Sequence, residues 1–230
     1  LYPIIVTRCG GRFRSRVEFW DLYFMKPGAP QSYKMSFSTG GLFLHESVEV
    51  ARLSRDEEPW PDTIARALEE GTTSLPKVAS QRRTLREIAN RISMLTAEEL
   101  YFFINDADRN EQQALLWLAP CRAYRFDREF AVEVICDRYL SYQLDLPLES
   151  FDMFFAVKAD WDDGLASISD TTLNKLRQIL FRMMREAGIL SAENRIQSTY
   201  LSAPLKLLIE STVPADLAVF PGVIVEGGMQ

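Results

Sequence analysis

The 230-residue chain has one histidine, three cysteines and no apolar run approaching the length of a membrane span. A lone histidine without a Cys-x-x-Cys pair excludes the common zinc modules, so neither a metal nor a cofactor is expected. Cys9, Cys121 and Cys136 are an odd set, which excludes a secreted disulfide framework and suits a reducing cytosol. A spanning helix needs about 20 apolar residues, and runs such as 100–104 fall far short, so no membrane partner is expected. There is no phosphate-binding glycine loop, dinucleotide fingerprint or nucleophile motif, and the chain does not read as an enzyme. His45 beside Glu46 reads as a surface residue, and Cys121 and Cys136 as core residues. The acidic turn of Asp160, Asp162 and Asp163 reads as a helix stop, with a metal-dependent nuclease site as the weaker reading.

What is present is an ordinary globular composition, 47% hydrophobic and 25% charged, which excludes disorder. Charge is the informative part. Residues 8–16, 76–92 and 171–185 each carry a net +4, so the rest of the chain sums to −18 for the whole to reach −6. Arginine outnumbers lysine 20 to 6, and arginine is the residue suited to bidentate phosphate and base-edge contacts. Basic stretches on an acidic body can steer a polyanion to chosen faces.

Periodicity predicts an all-α fold, a compact helical globule. Residues 1–31 read as an extension or basic arm, ahead of a start at Met25 or Met35. An N-terminal helical half spans 32–106, a C-terminal half 107–212, and a tail 213–230. Helices are expected over 40–53, 62–70 with Asp62 as N-cap, 76–93, 97–105 behind a Thr96–Glu99 capping box, 108–124, 127–142, 150–158, 170–187 stopped by Gly188, and 203–210. Pro120 is expected to kink or divide its helix. Arg195–Leu201 has the composition of a short strand. Trp117, Phe130, Val134, Leu176 and Leu180 are expected to share one core, and Trp161 to anchor it as well.

Two helix-turn-helix-like outlines carry the basic stretches. In the first, 62–93, the second helix presents Arg83, Arg86 and Asn90, flanked by Lys77 and Arg82, while Ser80, Gln81, Arg82 and Thr84 can hold phosphates or read bases. Glu87 interrupts this field. In the second, 150–201, the helix from Thr171 buries Leu173, Leu176, Leu180, Met183 and Ala187. Its outward stripe is Thr171, Lys175, Gln178, Arg182 and Arg185, without a carboxylate among them. A small β-hairpin wing after that helix would complete a winged helix, whose second helix enters the major groove.

Three segments, taken in order, resemble the BrxA family of the BREX bacteriophage-exclusion systems. They are the run from Ser32 to Leu42 containing Gly40 and Gly41, the run Ala114–Ala119 leading to Arg128, Glu129 and Phe130, and the run Leu176–Gly188. The resemblance covers roughly Ser32 to Ser211. It implies an all-helical DNA-binding protein with two helix-turn-helix elements, acting in phage defence beside other BREX components such as a DNA methyltransferase. The leading expectation is a non-enzymatic accessory protein that binds double-stranded DNA through its two basic helices. The alternative is a protein-interaction adaptor whose basic faces dock acidic partners without touching DNA.

Overall fold

The computed structural model describes residues 32–37, 39–55, 58–71 and 78–223, without the side chains of 78 and 79. The extension at 1–31, Lys77 and the tail from 224 lie outside the described residues. In chain order the helices are α1 (Leu44–Leu53), α2 (Trp60–Glu69), α3 (Val78–Ile92), α4 (Ala97–Asn105), α5 (Arg109–Ala123), α6 (Arg125–Phe130), α7 (Asp137–Leu140), α8 (Glu149–Ala159), α9 (Asp163–Ala166), α10 (Asp170–Glu186) and α11 (Ala203–Thr212). A π-helical segment, Ala131–Cys136, separates α6 from α7, and a 3₁₀ segment, Pro214–Val219, follows α11. The fold is all-α, with no strand among the described residues.

Local chemistry sets most of the boundaries. Thr96 and Glu99 form a reciprocal capping box at α4, and Asp108 and Glu111 form another at α5. The Glu111 carboxylate also accepts from the hydroxyl of Ser202, the N-cap of α11, so one acid ties two helix starts together. Ser169 caps α10. Its far end is a Schellman motif: Gly188 N–H bonds Arg185 at 3.1 Å, Ile189 N–H bonds Met184 at 2.9 Å, and Gly188 sits at φ +71°.

The core forms around α5, which is buried without a break from Ala114 to Cys121. Trp117 lies fully inside and donates its indole N–H to Val219 at 3.1 Å. Phe126, Phe130, Phe151, Phe154 and Phe155 make a second cluster of tilted, edge-on and stacked rings. Arg122 bonds Glu99 at 2.5 Å and Asp216 at 2.6 Å, both carboxylates being buried, and Arg128 reaches Asp216 at 2.5 Å. Residues from Tyr33 onward form one compact unit.

Several expectations are corrected. α2 begins at Trp60, because Pro61 is preset for a first turn, so Asp62 is a first-turn residue and not the N-cap. Thr63 and Ala67 are its buried residues. The helix carrying Pro120 continues to Ala123, so it is not divided there. The expected single helix over 127–142 is interrupted by the π segment. Its wider turns defeat the i, i+4 extrapolation from Phe130 to Val134, which is half-buried, and Ile135 takes the core place instead. Leu173 and Ala187 are only half-buried on α10, while Ile179, Phe181 and Met184 join Leu176, Leu180 and Met183 inside. Trp161 is 89% exposed and anchors nothing. The strand expected over 195–201 reduces to isolated antiparallel bridges, Leu190 with Ile196 and Asp145 with Arg195. Ser191 N–H to Arg195 at 2.9 Å and Gln197 N–H to Ile189 at 2.8 Å make a one-bridge turn after α10. Ile196 N–H bonds Leu144 on its other side at 2.7 Å, so the hairpin there is short and carries no strand.

Candidate nucleic-acid interface

α10 presents the stripe that its spacing predicts. Thr171, Lys175, Gln178, Arg182 and Arg185 are all exposed. The stripe does meet a carboxylate, one place further on: Arg182 Nε donates to Glu186 at 2.7 Å. Arg185 donates to the side-chain carbonyl of Asn194 at 2.7 Å, a neutral partner that fixes the guanidinium without cancelling its charge. Arg177, the other cation of this helix, turns away to Asp152 and Asn174.

On α3, Ser80, Arg82, Arg83 and Arg86 are exposed and Gln81 is half-buried. Asn90 is half-buried and donates to the Tyr124 hydroxyl at 3.1 Å. Glu87 does not interrupt the outward field. It faces the core, where it accepts from Arg91 Nε at 2.7 Å and from the Tyr124 hydroxyl at 2.7 Å. The Arg91 guanidinium is likewise buried, so this pair leaves the basic stretch from inside and the outer face keeps its arginines. Burial and the neighbouring Glu87 push the Tyr124 hydroxyl well above its ordinary range, so it stays a donor.

The two basic helices border one cleft of about 750 Å³. Thr84 enters it from α3, Arg182, Arg185 and Glu186 from α10, and Arg109 and Gln113 from α5. The loop from Thr39 to Phe43 and, from α1, Leu44 and Glu46 close the rest. Arg91 donates to the Gly41 carbonyl at 2.8 Å and to the Thr39 carbonyl at 3.5 Å, which holds the loop to α3. Glu186 accepts from Leu42 N–H at 2.5 Å, which holds it to α10, and Gln113 donates to the Glu186 carbonyl at 2.8 Å. A Cβ on Gly41 would overlap the Glu186 carboxylate, so the close approach needs glycine. Thr84 was foreseen beside Ser80, Gln81 and Arg82, whereas Arg109, Gln113 and Thr39 were not foreseen as site residues. Their only signal was the adjacent Gly40 and Gly41, which mark a backbone under close approach.

Cys121 is fully buried and desolvation raises its thiol, while burial pushes the Cys136 thiol up to about 12. Neither is a thiolate near neutral pH. Asp162 caps Leu165 N–H at 2.9 Å and accepts from Tyr33 N–H at 3.1 Å. Among the described residues, no three His, Cys, Asp or Glu side chains come together to hold a metal ion. No described helix is long and apolar enough to cross a membrane.

The fold and this cleft define an all-α protein whose two arginine-bearing helices are joined by one glycine loop. The BrxA family profile matches residues 31–212, and the chain belongs to that family, which places it with the BREX phage-defence systems. A relative from Escherichia coli O9:H4 (strain HS), "BREX protein BrxA", is 26% identical over 185 residues, spanning 77% of this chain and 84% of the relative. A crystal structure of an uncharacterized protein from Magnetospirillum magneticum shares the fold. It aligns at a TM-score of 0.66 with 21% identity, over 82% of this chain and 96% of that one.

Proposed function

We propose that the chain is a non-enzymatic, DNA-binding component of a BREX system that grips duplex DNA through the outward faces of α3 and α10. The carrying observation is the α10 stripe, in which Lys175, Arg182 and Arg185 are exposed along one face, and Arg182 and Arg185 border a cleft with Arg109 and, from α3, Thr84. Seventeen helical residues are about 25 Å long at 1.5 Å each, a length that fits a major groove. The exposed Arg182–Glu186 pair is worth only a few tenths of a kcal/mol, so exchanging that carboxylate for a phosphate is inexpensive. Gln178 has the amide pair that reads adenine, and the arginines have the fork that reads guanine. A net charge of −6 would hold down non-specific capture. Thiols that are protonated, one buried at Cys121 and one half-buried at Cys136, support the non-enzymatic reading. Other BREX components, a DNA methyltransferase among them, are the expected protein partners.

One observation favours the adaptor reading as the alternative. Arg177 and Arg182 already hold carboxylates, as they would those of an acidic partner. Binding of a duplex of mixed sequence, measured across a salt series, separates the two. DNA recognition requires log affinity to fall linearly with log salt. Absence of binding at low salt would leave the adaptor. Cleavage of that duplex on adding magnesium would overturn the non-enzymatic assignment.

A further inference from the structure

One face of α8 is built for the core and the other is not covered by any described element. Phe151, Phe154 and Phe155 point inward. Met153 and Val157, four apart, run along the outside and are 62% and 59% exposed, with Ala156 exposed beside them, and Trp161, 89% exposed, follows just past the end of the helix. A row of large apolar side chains ending in an almost fully exposed tryptophan is the composition of an interface centre, not of a solvated surface.

The border of this row is acidic. Residues 149–163 hold five carboxylates against one lysine. Glu149, Asp160 and Asp163 are exposed, and among the described residues no cation pairs with them. The nearby cations are already engaged: Lys158 with Glu129 at 2.7 Å and Glu133 at 3.0 Å, and Arg177 with Asp152. The carbonyl end of α8 adds its own negative potential beside Asp160.

We propose that this face docks an amphipathic helix of another protein, one that carries apolar residues at i, i+4 spacing set among lysines and arginines. The sign of the rim selects that occupant. Nucleic acid and anionic lipid would meet repulsion from three carboxylates. A two-fold contact with a second copy would bring Glu149, Asp160 and Asp163 against themselves. A cationic amphipathic helix satisfies both the apolar row and the acids. The surface does not rest on the DNA reading and stands if that reading fails.

The test uses the full chain and two 18-residue helical probes, one of leucine and lysine, the other of leucine and glutamate. The leucine–lysine peptide should bind saturably and shift tryptophan emission to the blue as Trp161 leaves water. The double variant Met153→Ser, Val157→Ser should weaken that binding at least tenfold while thermal unfolding stays unchanged. The triple variant Glu149→Lys, Asp160→Lys, Asp163→Lys should lose the basic peptide and gain the acidic one. The proposal is overturned if the wild-type chain does not bind, or if affinity survives both sets of substitutions. It is equally overturned if sedimentation finds a wild-type dimer that the Met153→Ser, Val157→Ser variant dissolves, since the occupant would then be a second copy.

Discussion

Arg91 and Glu186 hold opposite edges of a single peptide group. The guanidinium donates to the Gly41 carbonyl at 2.8 Å, and the carboxylate accepts from Leu42 N–H at 2.5 Å. Both atoms belong to the unit joining Gly41 to Leu42, so one peptide plane links α3 to α10. This joint fixes where the two basic helices stand relative to each other.

The joint predicts a shared energetic loss. Glu186→Ala leaves the buried Leu42 N–H without its acceptor and should cost about 1–3 kcal/mol of stability. Gly41→Ala pushes the same carboxylate away and should lose the same bond. Because both act on one contact, the double variant should lose little more than either alone in urea unfolding. Additive losses would show that the two residues are not coupled.

A second stability prediction concerns Arg122. Its replacement by alanine strands the buried Glu99 without a counter-charge and leaves the buried Asp216 with Arg128 alone. The expected loss is about 3–5 kcal/mol in denaturant unfolding, well beyond that of a surface arginine. A loss below about 1 kcal/mol would mean that the carboxylates find other partners.

Asp127 predicts a pH dependence. Its side chain is fully buried with neither oxygen hydrogen-bonded, and burial raises its carboxyl well above the ordinary range, with Arg91 opposing and Glu87 adding. The folded chain therefore keeps a proton that the unfolded chain releases above roughly pH 4. Stability should fall as pH rises from that value through the folded-state pKa, by at most about 1.4 kcal/mol per pH unit. Asp127→Asn should remove that slope from unfolding curves measured between pH 4.5 and 8. An unchanged slope would assign it to other groups.

The helices were legible where local chemistry decides them. The Thr96–Glu99 box and the Gly188 stop need only neighbours in sequence, and the start of α4 and the end of α10 follow from them. The Glu186–Leu42 contact spans 144 residues, and no local pattern announces it. Glu87 illustrates the same limit. Its helical position alone did not show that Arg91 and Tyr124 would draw it inward, away from the outer arginines. The π segment changed the phase between Phe130 and Val134, which a fixed 3.6 period cannot foresee. Trp161 was misplaced because composition favours a buried tryptophan, whereas only the packing of Phe151, Phe154 and Phe155 shows which side of α8 is spare.

Packing and binding should separate cleanly on α10. Leu176→Ala or Leu180→Ala opens a cavity beneath the helix and should cost roughly 2–5 kcal/mol of folding, without changing the salt dependence of DNA binding in the fraction that folds. A changed salt slope in these variants would mean that the stripe is not an independent surface.

The central claim is that the outward stripe of α10 meets phosphates, and the salt dependence of the variant Lys175→Ala, Arg182→Ala, Arg185→Ala tests it most directly. Three lost phosphate contacts at about 0.9 released counterions each should flatten the slope of log affinity against log salt by about 2.7. Stability should move by no more than about 0.5 kcal/mol, since all three side chains are exposed. A variant that binds duplex DNA with the wild-type affinity and the wild-type slope would contradict the account and remove α10 from the interface.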